Sequence, residues 1–250
     1  MRTLAVYSIK GGVGKTTTAV NLAFLAAAEG RRVLVWDLDP QGAASFFFRI
    51  KPRVKGGGKA LLRGRSAMDA AIKGTDFNGL DLLPADFSYR HLDLRLGRGD
   101  KPGRQLQRLL KPLRRGYDLL LLDCPPSIST LSENVFAIAD ALLVPLIPTT
   151  LSLRSLEQLD GFLREKMPKR PPRLLPFFSM VDQTKALHRS IMQDGSGPGL
   201  QILRSPIPEI AEIERMGLHR MPITAYAGSE MAAASYRALW REVKQAIDEE

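Results

Sequence analysis

Between a short apolar run, Thr3–Ile9, and an Ala- and Leu-rich stretch, Lys15–Ala28, the chain reads KGGVGKTTT over residues 10–18. No other segment restricts the fold so tightly. Glycines at 11, 12 and 14 let the backbone wrap closely around phosphate oxygens with its N–H groups turned inward. A helix opening at Lys15 brings the positive end of its dipole to the same anion site. Lys15 supplies a point charge for β and γ phosphates, and Thr16 offers a hydroxyl to Mg²⁺. The strict phosphate-loop pattern asks for glycine at position 9. This chain has Ile9 there, and a lysine, Lys10, opens the loop.

The rest of the chain supplies the frame such a loop needs. Gly30 closes the first helix where a C-terminal cap is expected. Val33–Trp36 is a second apolar run, ending at Asp37, and Leu80–Leu83, Leu119–Leu122, Ala141–Ile147 and Leu174–Phe178 are others. Helices are expected over 104–115, 130–139, 152–166, 183–193 and 228–248. Near-continuous apolar strands alternating with helices predict a mostly parallel, twisted sheet with helices on both faces. No repeat is present, and only the glycines at 56–58 and the segment 194–199 read as linkers. The expectation is a single α/β domain, residues 1–250, with a basic excursion after the second strand.

Composition excludes several classes. Hydrophobic residues make up 44% and charged residues 25%, ordinary values for a globular protein. The longest apolar run, Leu22 to Ala28, is seven residues, against roughly 20 for a membrane helix. No leader is evident, and a cytoplasmic protein is expected. The lone Cys124 excludes an intramolecular disulfide and a multi-cysteine metal site. His91, His188 and His219 show no metal-ligand spacing. The net charge is +10, with six bases and no acid over 51–65 and eight bases against Asp100 over 95–115. Such an excess suits a polyanionic partner, nucleic acid or anionic lipid, or simply a well-solvated basic surface.

The aspartates are the remaining chemistry. Asp123 closes an apolar strand, so its carboxylate emerges at the edge of the sheet where ligands bind in such folds. There it can hold the hydration shell of Mg²⁺. Asp37 and Asp39 are two apart at another strand end and share a face if extended. Spacing alone assigns them no roles.

Three further segments carry a resemblance. KGGVGKT resembles the deviant Walker A motif, KGGxGK[ST], of the ParA/MinD family of P-loop ATPases. VLVWDLDPQGAAS at 33–45 resembles that family's DxDPQG motif, and YDLLLLDCPPS at 117–127 its Walker B strand. LLVPLIPTTLSLRSLEQLD at 142–160 follows its pattern of strand, proline and helix. The resemblance spans nearly the whole chain. It implies ATP and Mg²⁺, with the nucleotide held by Lys10, Gly11, Gly12, Val13, Gly14, Lys15, Thr16 and Thr17. It places the metal near Thr16, Asp39 and Asp123. Asp39 would position or activate the attacking water, with Lys10 and Lys15 completing the catalytic set and Asp37 structural or near the metal. In the family, Lys10 reaches across a homodimer with ATP sandwiched between subunits; without the family, it reads as a second phosphate lysine in cis. Ser179 and Pro208 match segments near adenine.

Within the family, nitrogenase-type iron proteins need two cysteines. MinD-like proteins carry a basic amphipathic tail for membranes. Here Leu239, Val243, Ala246 and Ile247 form a stripe, but the chain ends in Asp-Glu-Glu, so core packing is expected and stable membrane binding is not. Metabolic P-loop ligases and kinases typically lack a lysine at the Lys10 position. The short ParA form, with no helix-turn-helix before the loop, fits best. It implies nucleoid-associated, nonspecific DNA binding through Lys185, Arg189, Arg215 and Arg220. It also implies a ParB-like or other cargo-bound partner that stimulates hydrolysis. Glu209 and Glu212 interrupt that basic region.

Overall fold

The computed structural model describes residues 1–96, 103–167, 170–194, 201–226 and 230–248. Its frame is a seven-stranded sheet: β1 (Arg2–Val6), β2 (Val33–Asp37), β3 (Lys73–Gly74), β4 (Leu80–Leu83), β5 (Leu119–Asp123), β6 (Ala141–Leu146) and β7 (Arg173–Phe178). The strand order is β3-β4-β2-β5-β1-β6-β7. Every pairing is parallel except that of the two-residue edge strand β3 with β4. Beyond β7 the sheet is extended by two isolated parallel bridges, Phe177 with Leu203 and Val181 with Pro208.

The all-apolar strands follow from burial on both faces. In β5 the four leucines divide by pleat: Leu120 and Leu122 enter one core, Leu119 and Leu121 the other. Against the second core lie α1 (Lys15–Ala28) and, at the C-terminus, α12 (Glu230–Asp248), whose Tyr236, Leu239, Trp240 and Val243 meet Ala19, Val20 and Ala23. The stripe at Leu239, Val243, Ala246 and Ile247 is therefore core. The short helices α2 (Ala43–Phe47), α3 (Gly57–Leu61), α4 (Arg65–Ala71), α5 (Leu92–Leu96) and α6 (Arg104–Leu110) occupy the first half of the chain. In the second half stand α7 (Thr130–Phe136), α8 (Thr150–Lys166), α9 (Ala186–Asp194), α10 (Ala211–Glu214) and α11 (Met216–His219).

Several boundaries differ from expectation for local reasons. The first strand stops at Val6, because the backbone must turn into the loop. The helix expected over 104–115 ends at Leu110 and tightens into a 3₁₀ turn, Lys111–Arg115, where Pro112 cannot donate to the helical ladder. Ser129 and Ser132 form a reciprocal cap at the start of α7, which ends at Phe136 rather than 139. The helix expected from 152 starts at Thr150, capped by Thr149, and the one expected from 183 starts at Ala186. The basic excursion is not loop alone, since α3 and the start of α4 lie within 51–65. Residues 195–199 of the linker-like segment and 228–229 of the last expected helix lie outside the described residues. Among the described residues, no helix is long and apolar enough to cross a membrane.

Candidate active site

The order of the strands sets the site. β1 runs between β5 and β6, so Val6, Asp123 and Asp37 stand side by side in register at the carboxyl ends of β1, β5 and β2. The chain leaves β1 there as the glycine loop, in the crevice where such sheets bind ligands.

Gly12 and Gly14 have φ of +70° and +87°, a conformation that only glycine adopts without strain. A side chain added at Gly11 or Gly12 would meet nothing within 4 Å, so the mouth of the loop is open space. Gly14 caps α1, and a Cβ there would come within 3.0 Å of the Ser179 hydroxyl. Val13 is buried beneath the loop. Thr16 and Thr17 open α1 and are partly exposed.

The two lysines are divided. Lys15 is buried and folds back, its Nζ donating to the Lys10 carbonyl at 2.9 Å. Burial lowers its pKa, while the carboxylates of Asp123 and Asp39 oppose that shift. Lys10 instead sends its ammonium out of the loop to the Ser152 hydroxyl on α8, at 3.4 Å.

Asp123 is fully buried, and neither of its oxygens has a hydrogen-bond partner. Burial, then the Asp37 carboxylate, pushes its carboxyl well above the usual range; the Thr16 hydroxyl and Lys15 pull the other way. A buried carboxylate left bare is costly, and a cation is what this one lacks. Asp37 is better served, because its Oδ2 accepts from the Ser45 amide and hydroxyl at 2.7 and 2.8 Å. Its Oδ1 is unpartnered, and burial raises its pKa to about 6. Asp39 is half-buried, and its Oδ1 accepts from the Gln41 amide at 2.9 Å, which shapes the turn through Pro40. No cage of three or more metal-ligating side chains exists among the described residues.

The structure brings together the loop, Lys10, Lys15, Asp37, Asp39 and Asp123, with Ser179 buried against Gly14. Pro208 lies further along, bridged to Val181. Lys185, Arg189 and Arg215 are exposed, and Lys185 is held by Glu209 at 3.1 Å and Asp182 at 3.4 Å. Arg220 stacks on Phe46 at 4.5 Å and donates to the Phe46 carbonyl. Cys124 is buried, and burial raises its thiol pKa, so it is inert. His188 is buried and accepts from the Asp182 amide, and His219 stacks on Tyr226. Two residues escaped the sequence reading. Ser45 joins Asp37 to the Ala85 amide, and Ser152 meets Lys10; a lone serine carries no signal of either role.

Comparison with known proteins shows the family and the fold. A family profile described as an AAA domain matches residues 1–170. The chromosome partitioning protein ParA of Caulobacter vibrioides is 33% identical over 97% of this chain and 94% of its own length. The chain belongs to the ParA/MinD family of P-loop ATPases. A ParA-family relative from Bacillus subtilis, the sporulation initiation inhibitor protein Soj, is 29% identical over 96% of this chain and 97% of its own. Among solved structures, cobyrinic acid a,c-diamide synthase from Mycobacterium smegmatis with bound ATP analog and magnesium superposes with TM-score 0.82. It is 27% identical and covers 98% of this chain and 94% of that one. The fold is therefore that of the P-loop ATPases of the ParA/MinD family.

Proposed function

We propose that this chain is an ATP-driven switch of the partition class, closing as a homodimer on Mg·ATP and holding DNA without regard to sequence. The observation that carries the reading is the divergence of the two loop lysines. Lys15 is spent inside its own loop, while Lys10 holds its charge outside it, beside α8, where a second subunit's phosphates can meet it. A cation supplied from the partner against developing phosphoryl charge is the logic of an arginine finger. Bound Mg²⁺ would neutralise phosphate charge beside Asp123 and Thr16. Asp39, on a turn fixed by its own hydrogen bond to Gln41, orients the attacking water. Asp37, anchored by Ser45, holds that turn to the sheet.

DNA is the partner that best matches the charge of +10, and Arg189 and Arg215 are exposed cations without a carboxylate partner among the described residues. A cargo-bound protein then stimulates hydrolysis and release. The partition relatives support this reading, and no membrane attachment enters it. The structural likeness to a diamide synthase favours a second reading, a metabolic ligase.

A DNA gel shift at about 50 mM salt, with ATP against ADP, tests the proposal. Retention with ATP alone, falling steeply with salt and indifferent to sequence, is expected. Asp39→Ala should accumulate the retained state. No retention with ATP overturns the reading. Capture by anionic vesicles would then favour a MinD-like role, and turnover that requires a small carboxylic acid would favour the ligase.

A further inference from the structure

Residues 50–74, with a few side chains from the β4 exit and α5, enclose an open groove of about 1910 Å³. That is well beyond the roughly 300–1,000 Å³ of a small-molecule pocket. Eight basic side chains line it, among them Lys51, Lys55, Lys59, Arg63 and Arg65, against the single acid Asp86.

Asp86 offsets little of this charge: it feels Arg53, but its oxygens are taken up by other donors. Its carboxylate accepts from the Val54 amide at 2.8 Å, the Ser88 amide at 2.9 Å and the Ser88 hydroxyl at 2.6 Å. Arg65 pairs with Asp69 at 3.1 Å. Lys51, Lys55, Lys59 and Arg63 form no ion pair among the described residues. Like charges facing one another across a concavity repel, and the low-dielectric walls focus their field on whatever anion enters.

The floor is rigid and small. The Gly58 amide donates to the Ser88 hydroxyl at 2.9 Å. A Cβ on Gly58 would meet Leu92 at 2.9 Å, and one on Gly57 would meet Ser88 at 2.5 Å. The cations therefore stand on a fixed scaffold rather than on a loose loop. No Phe, Tyr or Trp lines the groove, so it offers no platform on which bases stack. What it can recognise is a run of negative charge, and the guanidinium forks among its cations fit phosphate oxygens.

We propose that this groove binds a linear phosphate chain, within one subunit and without ATP. The chain is inorganic polyphosphate, which carries dense negative charge and brings no bases that need a stacking platform. This site is separate from the nucleotide loop and from Arg189 and Arg215, and it needs no dimer.

The test is fluorescence anisotropy on the full-length, nucleotide-free protein. The probes are long-chain polyphosphate, a dT oligonucleotide with the same number of phosphates, and polyglutamate of equal charge. Binding of polyphosphate, with clearly weaker binding of dT and of polyglutamate, is expected. Equal or tighter binding of dT assigns the groove to nucleic acid and overturns the proposal. The variant Lys55→Ala/Lys59→Ala/Arg63→Ala removes exposed side chains only. It should melt as the wild type does, lose about tenfold or more in affinity, and flatten the salt dependence. Arg189→Ala/Arg215→Ala should leave nucleotide-free binding unchanged, so failure here is distinguishable from failure of the ATP-dependent DNA reading. Equal binding of polyglutamate, unchanged affinity in the triple variant, or no binding without nucleotide overturns the proposal.

Discussion

Asp37 and Asp123 lie opposite each other in register on neighbouring parallel strands, and both are fully buried. Only Asp37 has hydrogen-bond donors, from Ser45. Two carboxyl groups so close in an apolar sheet edge resist ionising together. That electrostatic cost falls where the proposed Mg²⁺ would bind. Because both carboxyls are pushed up, with Asp37 at about 6, they favour the fold most below the unfolded value near pH 3.9. That contribution is lost as pH rises through about 6 for Asp37.

Asp123→Asn should accordingly melt at a higher temperature than wild type without nucleotide at pH 7 to 8, with the gap closing towards about pH 4. It should also lose the extra stabilisation that Mg·ATP gives, about 2.7 kcal/mol at a hundredfold excess over Kd. Thermal melts across pH, with and without Mg·ATP, check both halves. A variant that melts lower in the apo state would show that Asp123 is structural.

The lysines should separate in their phenotypes. Lys15→Ala removes the buried charge inside the loop and should abolish tight ATP binding. Lys10→Ala leaves the loop's amides in place and should bind ATP yet remain monomeric. Calorimetry gives the first quantity and light scattering the second. An ATP-dependent dimer of the Lys10 variant would assign Lys10 to its own subunit.

Glu209 restrains a candidate DNA cation. Glu209→Gln weakens the clamp on Lys185 and should tighten ATP-dependent DNA binding about two- to fivefold, since exposed pairs are worth about 1 kcal/mol or less. Arg189→Ala should instead weaken binding evenly across sequences and lower the salt slope by about one. Titrations at several salt concentrations distinguish these outcomes from no role.

Asp86 fastens the basic excursion to the sheet. Burial pulls its carboxyl upward, but the hydrogen bonds from Ser88 and Val54 outweigh it, and the pKa is lowered. A lowered pKa gives stability that is present above the unfolded value near 3.9 and lost as pH falls through the folded one. Asp86→Ala should cost about 1–2 kcal/mol at neutral pH. Denaturant titrations should show the cost shrinking in acid.

The phosphate loop, the parallel sheet and the edge position of Asp123 were legible because each is local. A glycine pattern, an unbroken apolar run and a residue at its end all lie within a few positions of one another. What was hidden depends on partners distant in sequence. Nothing in the sequence shows that Glu209 holds Lys185, or that Ser45 ties Asp37 to Ala85. The glycines at 56–58 look like a linker. They are required instead because Gly56 and Gly57 take φ of +78° and +62° and Gly58 is pressed against Leu92. Pro112 could have warned that the helix from 104 would not reach 115 unbroken.

Gly42, in the turn that carries Asp39, packs so closely that a Cβ there would fall 2.8 Å from Pro52 at the head of the basic excursion. The turn and the excursion thus meet at a contact that leaves no room for a side chain at Gly42. A side chain at position 42 would have to push Pro52 aside, so Gly42→Ala would disturb the Asp39 turn and the start of the excursion together.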